Sequence, residues 1–98
     1  MASPAILGRM VKQSGETLDY DVDYTDWFEN RTDNAASHTV TAESGITVVT
    51  SSLASQIVRV VLSGGVDGET YKITVKVTTN AATPIIKEAD FTVRIKDV

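Results

Sequence analysis

The 98-residue chain contains no cysteine, so neither a disulfide bond nor a thiolate-bound zinc ion can support its fold. Packing alone must therefore hold the domain together. No run of about 18 apolar residues is present, which excludes a helical membrane span. The segment 1–9 has neither the basic start nor the apolar stretch of roughly 7 to 15 residues that a secretion signal needs. We expect no membrane partner and no signal-directed export.

Basic residues are also scarce. Nine Lys and Arg stand against 13 Asp and Glu, which gives a net charge of −4, and the nine are scattered along the chain. A surface that binds nucleic acid needs such residues clustered to hold phosphates, so we expect no nucleic-acid partner. The length corresponds to one domain, and the hydrophobic share of 42% is ordinary for a globular protein.

The strongest pattern that the chain does contain is alternation. Apolar and polar residues alternate with a period of two over residues 17–24, 70–78 and 88–96, which is typical of strands with one face in a core and the other in water. Residues 26–36 have the composition of a turn and loop, and residues 51–55 that of a polar break. No segment has a helical period long enough for a helix. Shorter strands are predicted over residues 10–12, 38–42, 46–49 and 57–62.

A glycine-rich turn opens directly into the strand at residues 70–78. Tyr71 follows Asp67 by four residues and precedes Ile73 by two, the spacing of the tyrosine corner in immunoglobulin-like domains, where the phenol forms a hydrogen bond with backbone just upstream. The glycines of the turn would supply positive φ angles. The predicted corner consists of Gly64, Gly65, Asp67, Gly68 and Tyr71.

The corner and the turn spacing together predict an all-β fold, a single immunoglobulin-like β-sandwich of about seven antiparallel strands. We assign the sandwich to residues 10–98 and a flexible N-terminal arm to residues 1–9. Because such sandwiches host unrelated functions, any activity has to be argued from a site.

The chain offers little for catalysis. His38 is the single histidine, and the chain has no G-x-S-x-G elbow that would expose a nucleophilic serine. The glycine-rich turn lacks the Lys-Ser/Thr of a phosphate-binding loop and opens a strand rather than a helix. We therefore expect no enzymatic activity, no catalytic residue and no cofactor.

The acidic residues Asp19, Asp21, Asp23 and Asp26 form one carboxylate cluster, for which two interpretations stay open. A Ca²⁺ site needs several converging oxygen ligands, but alternate carboxylates on a strand lie roughly 6.5 to 7 Å apart. The EF-hand pattern also fails, because Tyr24 stands where its glycine should be. The other interpretation, which we favour, is a solvated acidic strand face, and we assign no metal site.

Two apolar pairs are candidates for contact with a partner. Trp27 and Phe28 are adjacent, so on an extended chain only one of them could face the core. Either both fold around a corner to plug the open end of the sandwich, or one is presented outward as an anchor. Ile6 and Leu7 belong to the arm, and an extended arm can add a strand to a neighbour.

Three stretches of the chain are distinctive when taken together. They are Leu18-Asp19-Tyr20-x-Val22-Asp23 with Asp26-Trp27, then Gly45-Ile46-Thr47-Val48, and finally Val61-Leu62-Ser63-Gly64-Gly65-Val66-Asp67-Gly68-x-x-Tyr71. In this combination the chain resembles the small phage fiber-tail adaptor proteins of tailed phages and prophages. The last stretch is similar to that family's Leu-Ser-Gly-Gly-x-x-Gly-x-x-Tyr signature.

The resemblance implies a structural protein of the virion, made in the host cytoplasm, that joins tail subunits to a tail fiber and performs no chemistry. It implies other virion proteins as partners, meaning tail, tail-fiber or capsid subunits, and many copies in a symmetric assembly. The alternative is a capsid decoration or accessory surface-binding immunoglobulin-like module. Such a module would use the loop that carries Trp27 and Phe28.

Overall fold

The computed structural model describes the backbone of Ala5–Leu7 and all of residues 10–98. Within these residues, eight strand segments form two four-stranded sheets that pack as a β-sandwich. The elements in chain order are β1 (Ala5–Leu7), β2 (Val11–Lys12), β3 (Leu18–Asp23), α1 (Thr25–Phe28), β4 (Ala35–Ala42), β5 (Ile46–Ala54), β6 (Ile57–Gly64), β7 (Thr70–Thr79) and β8 (Ile86–Ile95).

Each sheet combines strands that are distant in the sequence. One sheet has the order β1-β3-β6-β5 and the other has the order β2-β8-β7-β4. The predicted all-β sandwich is confirmed. Neighbouring strands are antiparallel with one exception, because β2 runs parallel to β8. The parallel pair is short and is held by two hydrogen bonds, from the N–H of Arg94 to the Met10 carbonyl and from the N–H of Lys96 to the Lys12 carbonyl.

The alternation in the sequence places every second side chain inside the sandwich. In β7 the apolar residues at alternate positions are buried, and Lys72 and Lys76 between them are exposed. Removing one large apolar side chain from water contributes roughly 1.5 to 3 kcal/mol, so this core is the main source of stability in a chain without disulfides. The buried core comprises Tyr20, Val22, Tyr24, Trp27, Phe28, Ile46, Val58, Val60, Leu62, Tyr71, Ile73, Val75, Val77, Phe91, Val93 and Ile95.

Two strands are longer than predicted. β4 begins at Ala35 rather than at residue 38, and β5 continues to Ala54 through the residues predicted as a polar break. Both strands lie at the edge of a sheet, where every second side chain faces water, so serine and threonine are accommodated there. A polar run in the sequence therefore did not mark the end of the strand.

The segment predicted as a turn and loop contains one turn of helix, α1. The N–H of Thr25 donates to Oδ1 of Asp23 at 2.8 Å, and the N–H of Phe28 donates to the Tyr24 carbonyl at 3.1 Å. These local bonds stabilise a single turn that has no helical period to detect. No helix in the part of the chain that the structure describes is long and apolar enough to cross a membrane.

Three buried tyrosines differ in how their hydroxyl groups are satisfied. Tyr24 donates to the Val75 carbonyl at 2.9 Å, and Tyr71 accepts the N–H of Val66 at 3.0 Å. The Tyr20 hydroxyl is buried and has no hydrogen-bond partner among the described residues. Burial raises the pKa of both Tyr20 and Tyr24, so these phenols stay neutral at physiological pH.

This difference predicts unequal effects of three matched substitutions. Tyr24→Phe and Tyr71→Phe each remove one hydrogen bond and should each lower the free energy of unfolding by about 1 kcal/mol. Tyr20→Phe removes an unpaired buried hydroxyl and should leave that free energy unchanged or slightly raised. Urea denaturation of the three variants measures the effects. A cost for Tyr20→Phe as large as that of the other two would show that its hydroxyl has an unseen partner.

Candidate functional site

The glycine-rich turn and Tyr71 form a compact corner at one end of the sandwich. The N–H of Val66 donates to Oη of Tyr71 at 3.0 Å, so the predicted bond to upstream backbone is present. The φ angles of Gly64, Gly65 and Gly68 are 78°, 98° and 91°. Residues with a Cβ rarely adopt such angles, which explains why this turn consists largely of glycine.

Two glycines also allow close approach of other chain segments. A Cβ on Gly65 would lie 2.6 Å from Cγ1 of Ile95, and a Cβ on Gly45 would lie 2.8 Å from Cε1 of Tyr71. Gly45, in the turn before β5, therefore belongs to the corner. The sequence analysis named Gly45 only as the start of the stretch 45–48, because its contact is with a residue 26 positions away.

Asp67 and Gly68 connect the corner to the end of β8. Oδ1 of Asp67 accepts the N–H of Asp97 at 2.9 Å, and the N–H of Gly68 donates to the Ile95 carbonyl at 2.8 Å. The carboxylate of Asp97 accepts the backbone N–H and the hydroxyl of Ser14, which holds the pKa of Asp97 below its ordinary value. The five residues assigned to the corner are thus brought together, and their hydrogen bonds connect the turn to β7 and to the end of β8.

The corner also contains a buried lysine that the sequence analysis missed. Lys12 is 1% exposed, and its Nζ donates to the carbonyls of Gln13 and Gly64, each at 2.7 Å. Burial lowers the pKa of Lys12, and the nearby carboxylates of Glu16 and Asp97 oppose that shift. Lysine is almost never fully buried unless it is paired, so no sequence signal pointed to this position.

The opposite end of the sandwich is closed by α1. Trp27 and Phe28 are each 5% exposed, and their rings pack edge to face with centroids 4.7 Å apart. A helical turn lets consecutive side chains enter the same core, which an extended chain cannot do. Of the two alternatives left open by the sequence, the structure has both rings plugging the open end. The alternative with an exposed aromatic anchor is wrong.

Two cations cover the indole ring of Trp27. The guanidinium of Arg31 lies 4.6 Å from the ring centroid and the ammonium of Lys87 lies 5.9 Å from it, within the range of cation–π attraction. Asp33 accepts two hydrogen bonds of 2.8 Å from Arg31. This pairing with Arg31 is the main reason that the pKa of Asp33 lies below its ordinary value.

Each end of the sandwich has a cavity on its surface. Beside α1, a polar cavity of about 530 Å³ is lined by the loops 30–33 and 80–82, with Asn30, Arg31, Asp33 and Asn80 among its side chains. At the corner end, a cavity of about 410 Å³ is lined by Met10, Val11, Lys12, Gln13, Glu16, Lys96 and Val98. Both ends present apolar surface to solvent, because Met10 and Val11 are 37% and 53% exposed at the corner end and Ile85 and Ile86 are 40% and 63% exposed at the α1 end.

The acidic face of β3 binds an arginine instead of converging on a cation. Arg59 donates two hydrogen bonds to Asp21, at 2.9 and 3.1 Å, and lies 3.8 Å from Asp19. The Arg59 hydrogen bond is the main cause of a lowered pKa at Asp21. Among residues 10–98, no three His, Cys, Asp or Glu side chains lie close enough together to hold a metal ion. Asp19, Asp21, Asp23 and Asp26 therefore do not converge on one point in the structure.

Three residues named in the sequence analysis remain, His38 in β4 and the pair Ile6 and Leu7 in β1. Nε2 of His38 in β4 lies 3.0 Å from Oγ of Ser51 in β5, a contact that connects the two sheets across their open side. Ile6 and Leu7 lie in β1, whose backbone pairs with β3, but their side chains and residues 1–4, 8 and 9 lie outside the described part of the chain. The flexibility of residues 1–9 stays a prediction.

Alanine substitutions at the glycines of the corner should lower the free energy of unfolding by different amounts. Gly64→Ala meets no atom within 4 Å but must adopt a positive φ, so we expect a loss of about 1 to 2 kcal/mol in the free energy of unfolding. Gly65→Ala carries the same backbone cost and also collides with Ile95, so its loss should be clearly larger. Gly15→Ala, which has open space and no positive φ, is the control and should change little. Equal losses at Gly64 and Gly65 in thermal denaturation would contradict the close approach.

The single tryptophan allows the Arg31 and Asp33 pair to be followed by fluorescence. Because the pKa of Asp33 is lowered, the stabilising pair is present above the unperturbed value of 3.8 and is lost as pH falls through the lower folded value. We expect Trp27 emission to change below pH 3.8 in the folded protein, and Asp33→Asn to show the acid-form spectrum at neutral pH. Asp19→Asn, on an exposed strand face, is the control. An identical acid transition in Asp33→Asn would assign the change to another group.

A comparison with protein-family models matches residues 12–94 to the family described as podophage GP4 fiber-tail adaptor protein gp77. The matched region runs from Lys12 in β2 to Arg94 in β8, so it includes the corner, α1 and most of both sheets. Comparison with curated protein sequences finds no match.

The matched region is far more than half of the chain, and it confirms the resemblance to phage fiber-tail adaptors. The family is structural, in agreement with the expectation that the chain is not an enzyme. The matched family acts in the virion tail, so the match favours the tail over the alternative of a capsid decoration. The chain belongs to the podophage GP4 fiber-tail adaptor family and is a structural protein of the virion tail.

Proposed function

We propose that this domain joins tail subunits to a tail fiber as a rigid spacer, present in many copies in a symmetric arrangement. The family match over residues 12–94 is the observation that carries the proposal. The sandwich contributes shape and surface, and its partners are the tail and fiber proteins between which it sits.

The two ends of the sandwich offer separate surfaces for two neighbours. The α1 end has the polar cavity together with exposed Ile85 and Ile86, and the corner end exposes Met10, Val11 and Val98. A protein that holds two different partners needs two different surfaces, and opposite ends of one sandwich provide them without steric conflict. The many hydrogen bonds within the corner fix that end relative to the sheets.

The contacts proposed from the sequence need one change. Trp27 and Phe28 do not touch a partner themselves, since both are buried, but they hold the loop of Asn30 to Asp33 that forms the surface of the α1 end. Ile6 and Leu7 remain proposed partner contacts. A modest contact at each position is sufficient, because repeated copies in a symmetric assembly act through avidity.

Immunogold electron microscopy on purified particles tests the location. We expect label at the junction between tail and fiber, and quantitative mass spectrometry of the same particles should give several copies per virion. Particles stripped of their fibers should keep the label if the domain binds the tail more tightly than the fiber. Label spread over the head, or particles without any label, would contradict the proposal.

A further inference from the structure

The charged residues avoid one side of the sandwich. Of the 22 charged residues in the chain, 13 acidic and 9 basic, Glu43 is the one that lies between residues 34 and 58. This stretch contains the whole of β4 and β5. Each of these strands is the last in its sheet, and the His38 and Ser51 contact brings them together. One long side of the molecule is therefore formed by two uncharged edge strands.

Such an edge is unusual for a free protein. An edge strand presents unpaired N–H and C=O groups, and proteins protect it with lysine, proline or very short strands. Within the described residues the opposite edges follow that rule, because β1 has three residues and β2 has two. β4 and β5 have eight and nine residues and contain neither lysine nor proline. β5 also exposes a large apolar side chain, Val49, at 54%.

The regular part of β5 has a defined length and centre. A bulge at Val49 interrupts its pairing with β6, and the positive φ of Ser55, 54°, ends the strand. Between them, the five residues Thr50–Ala54 pair with β6 in unbroken register. Ser52 is the middle residue of this segment, and its exposed neighbours on the same face, Thr50 and Ala54, are small and uncharged.

We propose that β5 pairs antiparallel with β5 of a second copy of this chain, around a two-fold axis at Ser52. All five regular residues are used only in this register, which places Ser52 opposite Ser52 of the second copy and Thr50 opposite its Ala54. The pairing extends the β1-β3-β6-β5 sheet into one continuous eight-stranded sheet across two copies.

The uncharged edge of β5 is where a second copy of the chain can approach without repulsion. Each copy carries a net charge of −4, so two copies repel over most orientations. Between their β5 edges there is no charged side chain to oppose contact, and the two Ser52 hydroxyl groups opposite one another can form a hydrogen bond across the pair. A two-fold contact is self-complementary by construction, so one edge serves both copies.

The pairing should be weak in isolation. Five residues of strand bury far less than the roughly 1,200 Å² of the smallest stable protein interfaces. The biological use of the contact rests on the proposed function, because many copies held in one tail multiply a weak interaction. The contact itself does not depend on that function and can be measured on the isolated protein.

A cysteine scan uses the absence of native cysteine. Ser52→Cys places two thiols directly opposite each other and should form a disulfide-linked dimer about tenfold faster than Thr50→Cys or Ala54→Cys alone. In those two variants the identical thiols lie about 13 Å apart, beyond disulfide reach. A mixture of Thr50→Cys and Ala54→Cys should instead form the heterodimer. Circular dichroism and the melting temperature confirm that each variant is folded.

A charge at the centre provides the second measurement. We expect the sedimentation coefficient of the parent chain to rise with protein concentration, and Ser52→Lys, which places like charges opposite each other, should abolish that rise. Thr41→Lys, exposed on the neighbouring edge strand β4, is the matched control and should leave that rise unchanged.

Three results would overturn the proposal. They are equal disulfide rates for Ser52→Cys and Thr50→Cys, loss of association in Thr41→Lys but not in Ser52→Lys, and cross-linking of Ser52→Cys in particles to a different virion protein alone. None of these concerns the location of the domain in the virion. Label at the tail with no pairing at β5 would therefore remove this inference and leave the proposed function in place.

Discussion

The position of the Tyr71 ring between two glycines is the contact on which the rest of the sandwich depends. A Cβ on Gly45 would meet one edge of the ring, and a Cβ on Gly65 would come within 3.3 Å of the other. The two glycines belong to the turns before β5 and after β6, whereas Tyr71 lies in the other sheet. The ring thus fixes how closely the sheets approach. In a chain without disulfides, this spacing determines how well every side chain between them packs.

The sequence was sufficient for those features whose causes are local. Positive φ, strand alternation and the step from Asp67 to Tyr71 are each encoded within a few residues, so the corner and the long strands could be predicted. The burial of Lys12 could not be predicted, because one of the two carbonyls that accept its hydrogen bonds belongs to Gly64, 52 positions away. The position of Trp27 also depended on distant partners, since Lys87 covers its ring from another loop.

The same reasoning explains why the candidate partner contacts needed correction. Aromatic residues are enriched both in cores and in interfaces, so composition cannot distinguish a plug from an anchor. The distinction came from α1, a single helical turn that directs Trp27 and Phe28 into the same core. An adaptor that works by shape uses its aromatic residues to hold a loop in place, and the loop makes the surface.

The distribution of charge around the sandwich separates surfaces that face water from surfaces that suit protein contact. On the outer face of β7 and β8, Lys76 lies opposite Glu88 and Lys72 lies diagonally across from Asp90; both ion pairs are exposed and of little energetic consequence. Such residues keep a strand soluble. A free monomer would benefit from the same residues on β5, where an uncharged edge promotes unwanted association. Their absence from that edge is a cost to the isolated chain, and the proposed pairing of β5 with a second copy would remove that cost.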